Sequence, residues 1–169
     1  MLTLDRPAPD FRLLDLDGRL HALRDYQGQV AVINFWSAEC PHAARADALL
    51  ATYLRDWEPR VALLSIASNL NETSVQIAQV AAQRSLPLVL LDRGSVVADL
   101  YVALTTPHLF VVDGQGILRY QGALDDVTFR QRIPTRNYLY DAVEAVLAGV
   151  RPQPGETPAY GCAIVRFSS

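Results

Sequence analysis

The stretch Val30-Ala31-Val32-Ile33-Asn34-Phe35-Trp36-Ser37-Ala38-Glu39-Cys40-Pro41-His42-Ala43 changes its period halfway along. From Gln29 to Trp36 it is almost continuously apolar, the pattern of a strand covered on both faces. From Pro41 onward, Ala43, Ala44, Ala46, Leu49, Leu50, Tyr53, Leu54 and Trp57 recur at helical spacing until Pro59 stops them. Cys40 therefore stands at the N-terminus of a helix that directly follows a buried strand.

The alternation continues outward from this junction. A strand is predicted at 61–68, a helix at about 72–84, a short strand at 87–91 and a short helix at about 96–101, which together specify a parallel, helix-covered sheet. The last third differs. Leu109–Asp113 and Ile117–Tyr120 flank Gly114-Gln115-Gly116, a hairpin signal that makes the sheet mixed. A final helix at about 136–148 precedes a Pro- and Gly-rich tail, residues 150–169. Residues 1–28 read as an N-terminal extension, a small hairpin around Asp17-Gly18. The expected architecture is α/β, a mixed central sheet with helices on both faces. Length (169 residues), 50% hydrophobic content and the lack of repeats predict one domain over 1–169.

Composition narrows the partners. The net charge of −3 arises from interspersed acids and bases with no basic block, so no nucleic-acid partner is expected. No apolar run approaches the ~20 residues of a membrane span. Asp5, Arg6, Pro7, Pro9 and Asp10 break any basic-then-apolar order at the N-terminus, so the sequence as written reads as cytoplasmic. Two cysteines, Cys40 and Cys162, are too far apart in sequence for a zinc knuckle. His21, His42 and His108 show no metal-ligand spacing with them, and neither metal nor other cofactor is expected.

A cysteine at a helix start faces unpaired backbone N–H groups and the positive end of the helix dipole, both of which favour thiolate. Such placement lowers a thiol pKa from about 8.5 into the range ~3.5–7.5, and only the thiolate attacks disulfides or peroxides. Pro41 suits the first helical position because its missing N–H would be unpaired there, and protonated His42 would add positive charge, while Glu39 opposes it. The alternative for Cys40 is an inert, buried thiol in a βα turn.

The segment Asn34–Ala43 resembles the strand-to-helix motif of thioredoxin-like redoxins, AhpC/TSA-related thiol–disulfide oxidoreductases in which a Trp shortly precedes a C-x-x-C pair. Cys40 matches the attacking cysteine. Position 43 is alanine, so the usual disulfide within the motif cannot form. Thr105-Thr106-Pro107-His108-Leu109 resembles the Thr-Pro segment before a core strand of that fold. The resemblance implies a cis bond at Pro107, beside the nucleophile, where neighbouring backbone pairs with substrate as an added strand. Tyr160-Gly161-Cys162-Ala163-Ile164 resembles the Gly-Cys-x-Ile ending of a bacterial redoxin subfamily that keeps Cys-Pro and lacks the second cysteine. Asn34 stands where thioredoxin carries a buried aspartate.

The resemblance implies a thioredoxin-like fold and thiol–disulfide exchange. Cys40 would be the nucleophile and Cys162 the resolving thiol, swung in by the tail, unless Cys162 is only a spare structural thiol. Trp36, Pro41, His42, Thr106 and Pro107 would line the substrate site, although Trp36 equally suits a core aromatic. The expected partners are a protein or small-molecule disulfide or thiol and a cellular thiol reductant. A thiol peroxidase is the rival enzyme, since Ser37 precedes Cys40 by three as in P-x-x-x-[ST]-x-x-C. Ile33 replaces that motif's proline, and Pro107 takes the place of the peroxiredoxin arginine. A third reading is a redoxin scaffold that binds peptides along Pro107 without turnover.

Overall fold

The computed structural model describes residues 2–167. Met1, Ser168 and Ser169, the outermost residues of the expected extension and tail, lie outside the described residues. The apolar run forms β3 (Val30–Trp36), every residue of it buried. It pairs in parallel with β4 (Val61–Ala67) on one side and antiparallel with β7 (His108–Val112) on the other. Both edges of β3 are thus hydrogen-bonded, and its side chains alternate between two apolar layers, which is why it lacks a polar face.

The seven-stranded sheet has the order β2-β1-β5-β4-β3-β7-β8, with β1 (Arg12–Asp15), β2 (Leu20–Ala22), β5 (Val89–Leu91) and β8 (Leu118–Gly122) completing it. β4 and β5 are parallel, and β7 and β8 are antiparallel, so the sheet is mixed as the sequence predicts. The hairpin expected as an N-terminal extension is instead the edge of this same sheet. Leu14 and Asp15 of β1 pair with Leu91 and Leu90 of β5. The sequence signals a turn but not the partner strand, because pairing with β5 spans more than 70 positions.

Four helices cover the sheet: α1 (Pro41–Trp57), α2 (Ser74–Gln83), α3 (Val96–Leu100) and α4 (Tyr138–Leu147). Ala46, Leu50, Leu54 and Trp57 of α1 and Leu139, Ala142 and Val143 of α4 pack on Val30, Val32, Leu63, Leu109 and Val111 of the sheet. On the opposite face, Val97, Ala98 and Tyr101 meet Ala31, Ile33, Phe35, Leu64 and Ile66. Fully burying a side chain of this size contributes roughly 1.5–3 kcal/mol. α2 begins two residues later than predicted because Thr73 takes the N-cap, its hydroxyl accepting from the Gln76 amide at 3.2 Å. Boundaries of the other elements differ from the predicted ones by one or two residues.

The tail holds one element that has no counterpart in the predicted pattern. Cys162–Ala163 forms β9, antiparallel to β6 (Thr105–Thr106), with Cys162 opposite Thr106 and Ala163 opposite Thr105. Two residues give no detectable alternation, so composition and periodicity cannot reveal this strand.

Candidate active site

Cys40 is the N-cap of α1 and Pro41 its first helical residue. With no N–H on Pro41, the amide of Ala43 one turn in is among the groups that favour a charged sulfur. The Cys40 sulfur lies 3.0 Å from the Thr106 carbonyl oxygen and 2.8 Å from the Cys162 sulfur. Both cysteines are unbridged. The Thr106–Pro107 peptide is cis, and both residues are buried.

Burial by itself pushes the Cys40 thiol up. Hydrogen bonding from Cys162, from Thr106 and from the amides of Ala43 and Cys162 together outweighs it, and the net direction is down. Burial likewise raises the Cys162 thiol, and its proton is further held by the adjacent Cys40 sulfur, which together push it up to about 11. Within the pair Cys40 is therefore the more acidic thiol and Cys162 the one that keeps its proton longer.

A solvent-facing Cys40 does not result from this arrangement. The residue is 4% exposed and belongs to a core cluster with Trp36, Ala38, Ala43, Ala67 and Ile77, while Cys162 packs at the edge of that cluster, half-buried. The cover is the protein's own tail. Nor does the tail hang loose. On one side of Cys162, Thr157 is fixed to β8 by its amide on Gln121 O (3.1 Å) and by its hydroxyl, which accepts from the Ala123 amide (2.9 Å). On the other, Ile164 N donates to Leu104 O, and Leu70 N donates to Val165 O, each at 3.1 Å. Cys162 thus arrives already docked.

Of the other expected substrate-site residues, Pro41 is exposed and His42 half-exposed, its ring edge-on to Tyr160 at 5.0 Å. These two and the Tyr160-Gly161 backbone form the rim above the sulfurs. Trp36 does not join it. At 0% exposure it is a core aromatic whose indole N–H donates to Asp47 Oδ2 (2.8 Å), with the Arg84 guanidinium 5.6 Å from its ring centre. Arg84 also donates to Asp47 Oδ2 (3.0 Å) and to the Ala38 carbonyl (2.9 Å), so Trp36 supports the Cys40 loop from beneath. Burial raises the Asp47 carboxyl in spite of these two donors. Asn34 is wholly buried on the face it shares with Val32 and Trp36, with no protein partner for its amide.

A second buried acid escapes sequence reasoning. Glu72, 3% exposed, accepts from the Ser37 hydroxyl (2.5 Å), the Ala38 amide (2.6 Å) and the Asn69 side-chain amide (2.8 Å). Asn69 Oδ1 in turn accepts from the Val165 amide at 2.7 Å. A continuous hydrogen-bond chain thus links the loop before Cys40 to Val165 in the tail just after β9. The sequence pattern places Glu72 at the start of the helix predicted from about 72, after a Ser- and Asn-rich stretch, and nothing there signals a buried acid. Among the described residues, no group of three or more His, Cys, Asp or Glu side chains is placed to hold a metal ion.

A model of the AhpC/TSA family matches residues 4–121. The chain belongs to the AhpC/TSA family. Its match covers Cys40 and Pro107 and stops before Cys162. Among curated relatives of this AhpC/TSA chain, thiol-disulfide oxidoreductase ResA of Geobacillus thermodenitrificans (strain NG80-2) is 30% identical over 113 residues, 64% of this chain and 63% of the relative. The chain therefore spans less than two thirds of that relative's length. An uncharacterized conserved protein from Geobacillus kaustophilus superposes with a TM-score of 0.90 at 28% identity, covering 100% of this chain and 95% of that one, tail included. The thioredoxin domain of a thiol-disulfide oxidoreductase from Bacteroides vulgatus gives a TM-score of 0.66 at 17% identity over 89% of this chain and 100% of that one. This AhpC/TSA member has a thioredoxin-like fold.

Proposed function

We propose that the chain is a thiol–disulfide oxidoreductase in which Cys40 is the nucleophile and Cys162 the resolving thiol. The observation that carries this reading is the 2.8 Å apposition of the two sulfurs, with Cys40 the more acidic of the pair. The name of the curated ResA relative points to the same chemistry. The substrate would be a disulfide on a protein or small molecule, and a cellular thiol would restore the reduced pair.

In the first step the Cys40 thiolate attacks one sulfur of the substrate disulfide. The substrate S–S bond breaks, its second sulfur leaves with the electron pair and takes a proton from solvent, and Cys40 carries a mixed disulfide. Consuming the Cys40 charge removes two of the three influences that hold the proton on Cys162, its hydrogen bond to Cys40 and the Coulomb attraction of the anion, leaving burial. Cys162 then deprotonates and attacks Cys40 Sγ, the mixed disulfide breaks, and the substrate sulfur that Cys40 had captured departs as thiolate. The substrate is reduced by two electrons and the protein gains a Cys40–Cys162 disulfide. From 2.8 Å the sulfurs need to close by only ~0.8 Å to bond. Access to Cys40 requires β9 to lift from its two-residue ladder on β6.

The peroxidase reading is less well supported because Ser37, the motif hydroxyl, is committed to Glu72. Non-catalytic peptide binding along Thr105–Thr106 competes with β9 for the same edge. The test is mild oxidation with diamide followed by digestion without reduction and mass spectrometry. A Cys40–Cys162 crosslink and loss of disulfide-reductase activity in Cys40→Ser are expected; an uncrosslinked protein, or full activity in that variant, overturns the proposal.

A further inference from the structure

The two sulfurs of the proposed disulfide are unequally presented, and thiol–disulfide exchange is sensitive to which one is attacked. Cys40 is 4% exposed, enclosed by the Thr106 carbonyl at 3.0 Å and by the core side chains around Ala38 and Ala43. Cys162 is half-buried at the rim, next to Tyr160 and Gly161. Exchange requires the attacking sulfur to approach along the line of the S–S bond. Cys40, at 4% exposure, offers almost no free surface for that approach, whereas half-buried Cys162 offers part of its own.

We infer that the thiol that reduces this protein enters at Cys162, not at Cys40, and does so without adding a strand to the Thr105–Thr106 edge. This rests on the two-cysteine cycle proposed above. The reductant thiolate bonds to Cys162 Sγ, the Cys40–Cys162 bond breaks, and its electron pair leaves on Cys40 as thiolate. A second thiol of the same dithiol reductant, or another molecule of a monothiol, then attacks the reductant sulfur of the mixed disulfide. The reductant leaves as its disulfide and Cys162 recovers a proton from solvent.

The edge beside Pro107 supports the second clause. In the docked tail, Cys162 and Ala163 already occupy the register positions opposite Thr106 and Thr105, and the chain is fastened on either side of them. A reductant that had to lie along this edge as an extended segment would first have to strip the tail away, and with it the sulfur it attacks. The class of partner that fits is a small thiol, or a protein presenting its cysteine on a protruding loop or helix end.

The test starts from protein oxidised to the Cys40–Cys162 disulfide and checked by peptide mapping. It is mixed with glutathione for seconds, quenched in acid, blocked with N-ethylmaleimide and mapped by mass spectrometry. Glutathione on Cys162 with maleimide on Cys40, in about tenfold or greater excess over the reverse isomer, is expected. Glutathione on Cys40 in equal or greater amount overturns the inference. Since Cys40 can displace glutathione again, a second measurement reads each sulfur alone. Cys40→Ser carrying thionitrobenzoate on Cys162, and Cys162→Ser carrying it on Cys40, are each treated with glutathione, and release of the coloured thiolate is timed. Faster release from Cys162 supports the assignment, and equal or slower release overturns it. Failure of the initial crosslink to form defeats the two-cysteine cycle itself, a different result from a crosslink opened at the wrong sulfur.

Discussion

A methyl group on Gly161 would sit 2.2 Å from the Thr106 carbonyl oxygen, the same oxygen that faces the Cys40 sulfur. Only glycine lets the tail approach this closely, and the approach puts Cys162 over Cys40. Gly161→Ala should therefore push β9 off β6 while leaving the main sheet intact. The yield of Cys40–Cys162 crosslink should fall, and alkylation of Cys40 by iodoacetamide, compared at a pH high enough to ionise the thiol without its Cys162 donor, should accelerate about tenfold or more as its cover lifts. Unchanged alkylation and crosslinking in a folded variant would show that the tail does not seal the nucleophile.

The acidity of Cys40 is tied to its neighbour. Burial raises it and the Cys162 hydrogen bond is the largest influence lowering it. Because the thiolate is the reactive form, alkylation speeds up as pH rises through the pKa, and a lowered pKa moves the midpoint below that of the same thiol without its hydrogen bonds. In Cys162→Ala, which removes the donor without supplying another, the midpoint should move upward and reactivity near pH 7 should drop although access improves. A midpoint that stays put or falls in this variant contradicts the assigned cause.

Glu72 binds three donors in a water-poor site, two of them on the loop that leads into Cys40. Glu72→Ala leaves the Ser37 hydroxyl, the Ala38 amide and the Asn69 amide unpaired and should cost roughly 2–4 kcal/mol in urea unfolding. Glu72→Gln should cost less, since its amide oxygen still accepts from Ala38 and the Ser37 hydroxyl can turn to accept from the new NH2. The rate of crosslinking should fall in Glu72→Gln as well, because Asn69 relays this acid to Val165 beside the tail cysteine. A crosslinking rate equal to wild type would confine Glu72 to a stabilising role.

The contrast between Glu72 and Cys40 shows where sequence reading works. The run Val30–Trp36 and the period change at Pro41 are local patterns, and each is set by a physical rule acting within one element: burial on both faces for β3, and the missing N–H for the helix start. Glu72, the β6–β9 ladder and the β1–β5 pairing depend on residues between about 30 and 80 positions apart, and no period within an element reports them. Trp36 fails for a different reason. A large aromatic near a nucleophile suits either a site wall or a core prop, and only the positions of Asp47 and Arg84, fixed by α1 and the end of α2, decide for the prop.

His108 gives the fold a pH limit. It is 7% exposed on β7, beside Pro107, and its Nδ1 accepts from the Leu104 amide at 3.1 Å, which requires the neutral ring. Burial lowers its pKa from 6.5 to about 4. Between those values the unfolded chain binds a proton that the folded chain excludes, so the unfolded state gains as the pH falls. The histidine's contribution to stability is complete above about pH 6.5 and is lost progressively down to about pH 4, up to roughly 3 kcal/mol in all. His108→Asn retains an acceptor for the Leu104 amide but cannot titrate. Unfolding free energies at intervals from pH 4 to pH 7.5 should therefore fall less steeply with acid in His108→Asn than in wild type, although the variant should be slightly weaker at pH 7.5 for lost packing against Phe110. Parallel curves for the two proteins would mean that some other group carries the acid sensitivity, and that the buried ring beside Pro107 tolerates its charge.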